Sequence, residues 1–308
     1  MEIKNQVLLK NLQRVEILST KSKLYRLLNR PFAYAFALLF REIFHRFDRK
    51  PILKLCTTFY NSKFHVLLPS GTDIFITGGK SHHSEISLAR FLIYNLKEGA
   101  TFVDVGAHYG YYTLLASNLV GESGLVYSFE PSPKTFKVLN INTEAKNNIY
   151  TVNKAVSDQN SKTKFFEFPN KYSEYNTTDI SQFMNLPWFK KNQPEMINID
   201  TVILSEYLKD HRIIPDIIKI DVEGSELSVV MGLKSFLKHS SPIIIMEFLS
   251  DSRFNGFHLL AETELRSWGY KAGVILHDGD ILYLEEISSY LQKKNSDSEN
   301  VVFIRSNN

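Results

Sequence analysis

From residue 101 onward the apolar residues come in blocks. Short unbroken runs, TFVDV, LVYSFE, DIIKID and PIIIMEF, alternate with longer segments in which apolar side chains recur every three or four positions. Such short runs read as strands buried on both faces, and the longer pattern reads as amphipathic helix. The order begins with strand (TFVDV), helix from about Gly110, strand (LVYSFE), helix (SPKTFKVLNINTEAKN) and a third strand (IYTVNKAV). Residues 158–196 are irregular and aromatic-rich, a length that suits a lid, a binding loop or an ordinary packed excursion. Alternation resumes with helix (DTVILSEYL), strand (DIIKID), helix (SELSVVMGLKSFL), strand (PIIIMEF) and helix (LLAETELRSWG). Strand-like YKAGVIL, DILYLE and VVFIR close the chain. Repeated βα units imply an α/β fold built on a doubly wound, mainly parallel, Rossmann-like sheet.

Upstream the pattern differs. Residues 1–60 read as a helical extension broken at Pro31 and Pro51, ahead of one domain over 61–308. KFHVLLPSGTDIFITGG reads as two strands around the turn Pro69-Ser70-Gly71, and SEISLARFLIYNLKEG as a helix capped by Ser84 and stopped at Gly99.

Composition narrows the class. At 44% hydrophobic residues the chain can bury a full core and is too apolar for a disordered one. The single cysteine, Cys56, excludes an intramolecular disulfide and a cysteine-built metal site, and fits a reducing, cytoplasmic setting. Charge is unevenly spread. Residues 1–50 hold eleven Lys/Arg against four Asp/Glu, an excess of seven, so a chain of net +3 has a body carrying four net negative charges. A basic front on an acidic body argues against a nucleic-acid partner. In PFAYAFALLFREIFHRF the uncharged part, Pro31–Phe40, is about half of the ~20 residues that a bilayer span needs. Two readings of this front stay open: a helix packed on the body, or a basic amphipathic helix making peripheral contact with an anionic membrane.

Ligands of doubly wound sheets bind beyond the carboxyl ends of the strands. Those ends here carry Asp104, Glu130, Asp158, Asp221, Glu223 and Glu247. Between the first strand and its helix, Gly106 and Gly110 bracket Ala107, His108 and Tyr109. Glycines there permit a tight turn and close ligand approach, and the helix start favours an anion. The string lacks the second glycine of a dinucleotide fingerprint, since His108 stands there, and it lacks the Gly-Lys-Ser/Thr of a phosphate loop. Glu130 follows Gly110 by twenty residues and has the reach of a ribose-binding acid. Acids around the cleft oppose a diphosphate but suit a sulfonium cation, and so favour S-adenosyl-L-methionine over a dinucleotide.

TFVDVGAHYGYYT, SFEPSPKTFKVLNIN, NKAVSD and IIKIDVEGSELSVVMGLKSFL, in this order, resemble the FkbM family of methyltransferases over roughly Glu85 to Phe248. The resemblance implies the class I S-adenosylmethionine-dependent fold: seven strands with the last antiparallel, for which VVFIR is the candidate. It implies cofactor contacts from the first loop (Asp104, Gly106, Ala107, His108, Tyr109, Gly110, Thr113), from Glu130, Pro131 and Ser132 at the ribose, and from Ala155 and Val156 by the adenine. Asp221 and Glu223 would lie near the transferred methyl. It further implies O-methylation of a hydroxyl on a sugar, glycan or glycosylated or lipid-linked metabolite. Alternatives are a non-sugar acceptor and a non-catalytic scaffold that kept the fold.

A hydroxyl acceptor must lose its proton as it attacks, and the candidate bases are Asp221, Glu223, His108 and Glu247. His108 is best matched to neutral pH by its ordinary pKa. An acid-held divalent metal is the lesser reading, and no metal is assigned.

Overall fold

The computed structural model describes residues 2–40, 50–253 and 255–305. At the front, α1 (Glu2–Thr20) precedes the short helices α2 (Lys23–Asn29) and α3 (Pro31–Leu39). Ser22 caps α2 by accepting the Tyr25 N–H, and Pro31 opens α3, where its missing N–H leaves no bond unmade. α1 belongs to the main core: Leu8, Leu12 and Val15 are buried there with Phe59, Leu92 and Tyr111. The Asn5 and Asn11 amides donate to the carbonyls of Ile93 and Phe59. From residue 41, PFAYAFALLFREIFHRF lies outside the described residues.

Two expectations for the front change. Residues 52–57, read as helical, form β1 (Ile52–Thr57), antiparallel to β2 (Lys63–Leu68). The segment TDIFIT, read as the second strand of a hairpin, is the helix α4 (Thr72–Thr77). Its β-branched residues favour a strand, but local bonds override them. The Asp73 carboxylate accepts the N–H groups of Ile74 and Ser81, and Gly78, at φ +83°, closes the turn onto the Ile74 carbonyl.

After α5 (His83–Asn95) the βα alternation unfolds as read: β3 (Thr101–Val105), α6 (Tyr111–Val120), β4 (Leu125–Phe129), α7 (Pro133–Thr143) and β5 (Ile149–Val152). IYTVNKAV then divides. Its second half is β6 (Ala155–Ser157), which leaves the main sheet for a small one of order β6-β8-β7, with β7 (Lys162–Glu167) and β8 (Glu195–Ile203) antiparallel. Part of 158–196 is therefore regular. DTVILSEYL is helical only from α8 (Leu204–Asp210), because residues 201–203 pair with β6. The chain continues through β9 (Ile217–Ile220), α9 (Glu226–Leu237), β10 (Ile243–Leu249), α10 (Gly256–Ser267), β11 (Lys271–Ile275), β12 (Ile281–Tyr283), α11 (Ile287–Lys294) and β13 (Ser298–Ile304).

The main sheet has the order β12-β11-β13-β10-β9-β3-β4-β5. Strands β10, β9, β3, β4 and β5 run parallel, and β13 lies antiparallel between β10 and β11. VVFIR is thus the antiparallel last strand, and the sheet is that of the class I methyltransferase fold. It carries one strand beyond the seven expected, because DILYLE turns back at Gly279 and pairs β12 with β11. Both faces are covered. Phe102 and Ile217 enter the core that holds α1 and α6, while Val103, Val105, Ile218 and Ile220 enter the core on the opposite side. Two-residue periodicity in β3 and β9 sends alternate side chains to opposite layers. Strand order reverses between β3 and β9, and the site lies beyond their carboxyl ends.

Candidate active site

A cleft of about 370 Å³ opens at this switch point. Of the residues expected at the site, Gly106, His108, Glu130, Pro131, Ala155, Val156, Asp221 and Glu223 line it, and so does Glu247. Asp104, Ala107, Tyr109, Gly110, Thr113 and Ser132 are buried behind it. Their bonds show what they do there. Asp104 accepts from Thr113 Oγ1 at 2.7 Å, and Ala107 N–H donates to the Phe129 carbonyl. Ser132 caps α7 and donates its own N–H to Glu130.

The two glycines divide in role. Gly106 has φ +81°, and a Cβ on it would lie 1.8 Å from the Asp221 carbonyl oxygen. The first loop and the acid loop after β9 therefore abut backbone to backbone. Gly110, at φ +86°, faces Leu139 of α7, which a Cβ would meet at 2.6 Å. It serves helix packing, and the start of α6 does not reach the cleft as the sequence suggested. At this end the cleft presents the ammonium of Lys80 instead, paired with Glu85 at 3.3 Å.

Glu130 is 5% exposed. Its two carboxylate oxygens accept the N–H groups of His108 and Ser132, each at 2.9 Å. Each oxygen keeps a further lone pair for a ligand hydroxyl. Burial raises its pKa to about 8, against the two N–H donors, with Asp104 and Glu167 adding to the rise. A carboxyl raised in this way favours the folded state at low pH, and that contribution is lost as pH rises through about 8. The ionised form accepts ligand hydroxyls more strongly, and on both oxygens. Affinity for S-adenosylhomocysteine, which has a ribose but no sulfonium, is therefore expected to rise between pH 6.5 and 9, by about tenfold per unit at most. Calorimetry across that range checks this, and Glu130→Gln should flatten the dependence. An equally steep rise in the variant would assign it elsewhere.

Beyond Gly106 stand three acids. Asp221, Glu223 and Glu247 bring carboxylate oxygens within 4.8 Å of one another. Asp221 is partnered: Lys219 Nζ lies 3.0 Å from its Oδ2 and 3.6 Å from Asp104 Oδ1. Burial works to raise Asp221, but the cations of Lys219 and Lys80 outweigh it and hold this carboxyl below the ordinary range. Glu223 is pushed well up by burial and by Glu247 and Asp221, and its buried Oε2 has no hydrogen-bond partner. Glu247 is raised to about 8 by burial, then by Asp221 and Glu85. The trio thus sets one carboxylate held low, Asp221, beside two carboxyls pushed up by burial, with the Arg253 guanidinium 3.9 Å from Glu223 Oε2.

His108 does not behave as its ordinary pKa suggested. Burial, with Lys80 and Lys219 nearby, lowers it to about 3, and its Nε2 lies 3.1 Å from Ser173 Oγ. It is neutral and a weak base. With Tyr109, whose hydroxyl meets Asn170 at 3.0 Å and Ser173 at 3.3 Å, it fastens the 158–196 insert to the first loop. A second fastening runs from Thr177 Oγ1 and Gln182 Nε2 to the Glu223 carbonyl. Within the insert Phe168, Phe183 and Phe189 form a small core of their own, and Tyr175, which lines the cleft, packs on it.

The sequence reading missed Lys80, Glu85, Ser173, Glu174 and Arg253 on the cleft wall, and Lys219 behind it. Lys219 had a signal: a lysine inside a strand whose four residues are all buried must meet acids.

The sequence matches the methyltransferase FkbM domain over residues 104–272, more than half of the chain. The chain belongs to the FkbM methyltransferase family. Its methyl donor is accordingly S-adenosyl-L-methionine. No curated protein matches it significantly. Among solved structures it is similar to the FkbM methyltransferase of Methylobacillus flagellatus, at 16% identity and TM-score 0.41, with 73% of this chain and 56% of that one covered. It is also similar to Aeropyrum pernix fibrillarin in complex with natively bound S-adenosyl-L-methionine, at 14% identity and TM-score 0.41, covering 70% and 73%. A Thermotoga maritima S-adenosylmethionine-dependent O-methyltransferase shares 11% identity at TM-score 0.40, covering 83% and 78%. The matched FkbM segment holds both loops that build the cleft floor and leaves Lys80 and Glu85 to the chain before it.

Proposed function

We propose that this methyltransferase methylates a hydroxyl of a sugar or glycan, with Glu247 receiving the hydroxyl proton. Glu247 carries the reading. A base works best when its pKa lies near the working pH. Glu174 on the wall, at about 7, and Glu130, at about 8, share that range with Glu247, at about 8. Glu130 is spent on the His108 and Ser132 N–H groups, and Glu247 is the one grouped within 4.8 Å of Asp221, which is held low, and Glu223. Asp221 is therefore a positioning group, tied to Lys219, and gives up the base role it shared in the sequence reading. Glu130, with Pro131, Ala155 and Val156 alongside, would hold the adenosine, and the acid trio would face the sulfonium. Bound there, the cofactor supplies an electrophilic methyl group on a good leaving group.

The acceptor side supports a polyol. Tyr175, backed by the Trp188 ring at 5.4 Å, offers a rigid aromatic face, and Ser173, Asn176, Thr178 and Ser225 supply hydrogen-bonding groups around it. The cleft offers only Lys80, Lys154 and Arg253 as cations, too few to follow a phosphate backbone, which supports a non-nucleic-acid acceptor. The free, half-buried Cys56 supports a cytoplasmic setting. Incubation with methyl-labelled cofactor and a panel of saccharides, phenols, amines and carboxylic acids tests the proposal. Alkali-stable label in a saccharide is expected. Label confined to amines or to hydrolysable esters would overturn it.

A further inference from the structure

We propose that α2, α3 and β1 form a surface that docks on an anionic membrane. No residue of α2 is buried, and Leu24 and Leu28 are 64% and 73% exposed. On α3, Phe32 is 88% exposed. Between α3 and β1 runs an open groove of about 610 Å³ lined by Phe32, Phe36, Leu39, Leu55 and Phe75, with Arg30 also on its wall. Apolar surface gathered in this way marks an interaction site rather than an ordinary monomer exterior.

Charge selects the occupant. Residues 21–40 and 50–57 carry Lys21, Lys23, Arg26, Arg30, Lys50 and Lys54 and no Asp or Glu. A second copy seated on this face across a two-fold axis would set these cations against their own equivalents. A layer of anionic headgroups meets both the charge and the apolar side chains. Among the described residues no helix is long and apolar enough to cross a membrane, so the face lies on the surface. Lys23 and Arg26, on the same short helix as Leu24 and Leu28, line a second cavity of about 410 Å³ that shares Glu174 with the cofactor cleft. The docking face thus lies beside a cavity that shares a wall residue with the cleft, and the inference stands whichever hydroxyl is methylated.

Sedimentation of the full chain with phosphatidylcholine vesicles, alone or mixed with phosphatidylglycerol, tests this. Retention on the mixed vesicles only is expected, weakening as salt is raised. The double variant L28E/F32E should bind at least roughly tenfold more weakly, from the apolar area withdrawn from the membrane, while its affinity for S-adenosylhomocysteine stays at the wild-type value. That second readout also confirms folding and separates failure of this proposal from failure of the methyltransferase site. Should the double variant not fold, K23E/R30E replaces it and should abolish the preference for phosphatidylglycerol. Wild-type protein left in the supernatant with both vesicle types overturns the proposal, as does unchanged binding by the folded variants. A wild-type dimer in light scattering that L28E/F32E dissociates would give the face to a second copy.

Discussion

Replacing Glu247 with glutamine is expected to lower kcat about 10²–10⁴-fold, the usual contribution of a placed base, and to leave the dissociation constant for S-adenosylhomocysteine nearly unchanged. The substitution is mild in every other respect. Glutamine matches the shape of the protonated carboxyl that Glu247 presents while its pKa stands at about 8. The sign of the pH dependence follows. The working form is the carboxylate, so wild-type kcat should climb with pH and level off above about 8, and the variant should lose that limb. Stability moves the other way. A raised carboxyl contributes most below its ordinary pKa and loses that contribution as pH passes about 8, so wild type should soften on the alkaline side more than the variant, which keeps the raised Glu130. Steady-state kinetics and thermal melts between pH 6 and 9 read both effects. A variant with most of its kcat, on the acceptor found by the labelling panel, would return the base role to another acid.

Lys219→Met is expected to cost about 3–5 kcal/mol of folding stability, the range found when one partner of a buried ion pair is removed. Lys219 is 2% exposed and stands between Asp104, 1% exposed, and Asp221. Burial works against its charge, but Asp221 and Asp104 reverse that and raise its pKa. Without the ammonium, Asp104 keeps the hydrogen bond from Thr113, and Asp221 loses the charge and hydrogen bond of Lys219 that hold it ionised. Cofactor affinity should fall with stability, because Asp221 abuts Gly106 of the first loop. Urea unfolding measures the cost, and adding Asp104→Asn to the methionine variant should recover part of it. A loss below about 1 kcal/mol, typical of an exposed pair, would show that solvent reaches the pair.

What the sequence disclosed follows how local each feature is. β3, β9 and β10 were legible because strands buried on both faces must be continuously apolar, and their last residues placed Asp104, Asp221 and Glu247 at one edge of the sheet. Glu130 was legible by spacing for the same reason. Side-chain state was not. His108 changes character through burial and then Lys80, Asp221 through Lys219 and Lys80, and Lys80 arrives from a segment whose helix, TDIFIT, reads as a strand until the Asp73 bonds are known. Likewise residues 201–203 read as helix because their pairing partner, β6, lies more than forty residues upstream. Glycine was legible at Gly106 and Gly110, but its reason was not. Both make room for protein, the Asp221 carbonyl in one case and Leu139 in the other.

The insert gives this enzyme a division of labour that matters over evolutionary time. Its rings Phe168, Phe183, Trp188 and Phe189 pack chiefly on one another, and it meets the donor loops through a few polar fastenings at His108, Tyr109 and Glu223. With the acceptor held against the insert, as proposed above, mutations inside it reshape what is recognised while the Gly106–Asp221 contact and the acid trio stay fixed. A lineage built on this plan can diversify its acceptors by drift in one self-supporting segment, with the chemistry of methyl transfer inherited unchanged.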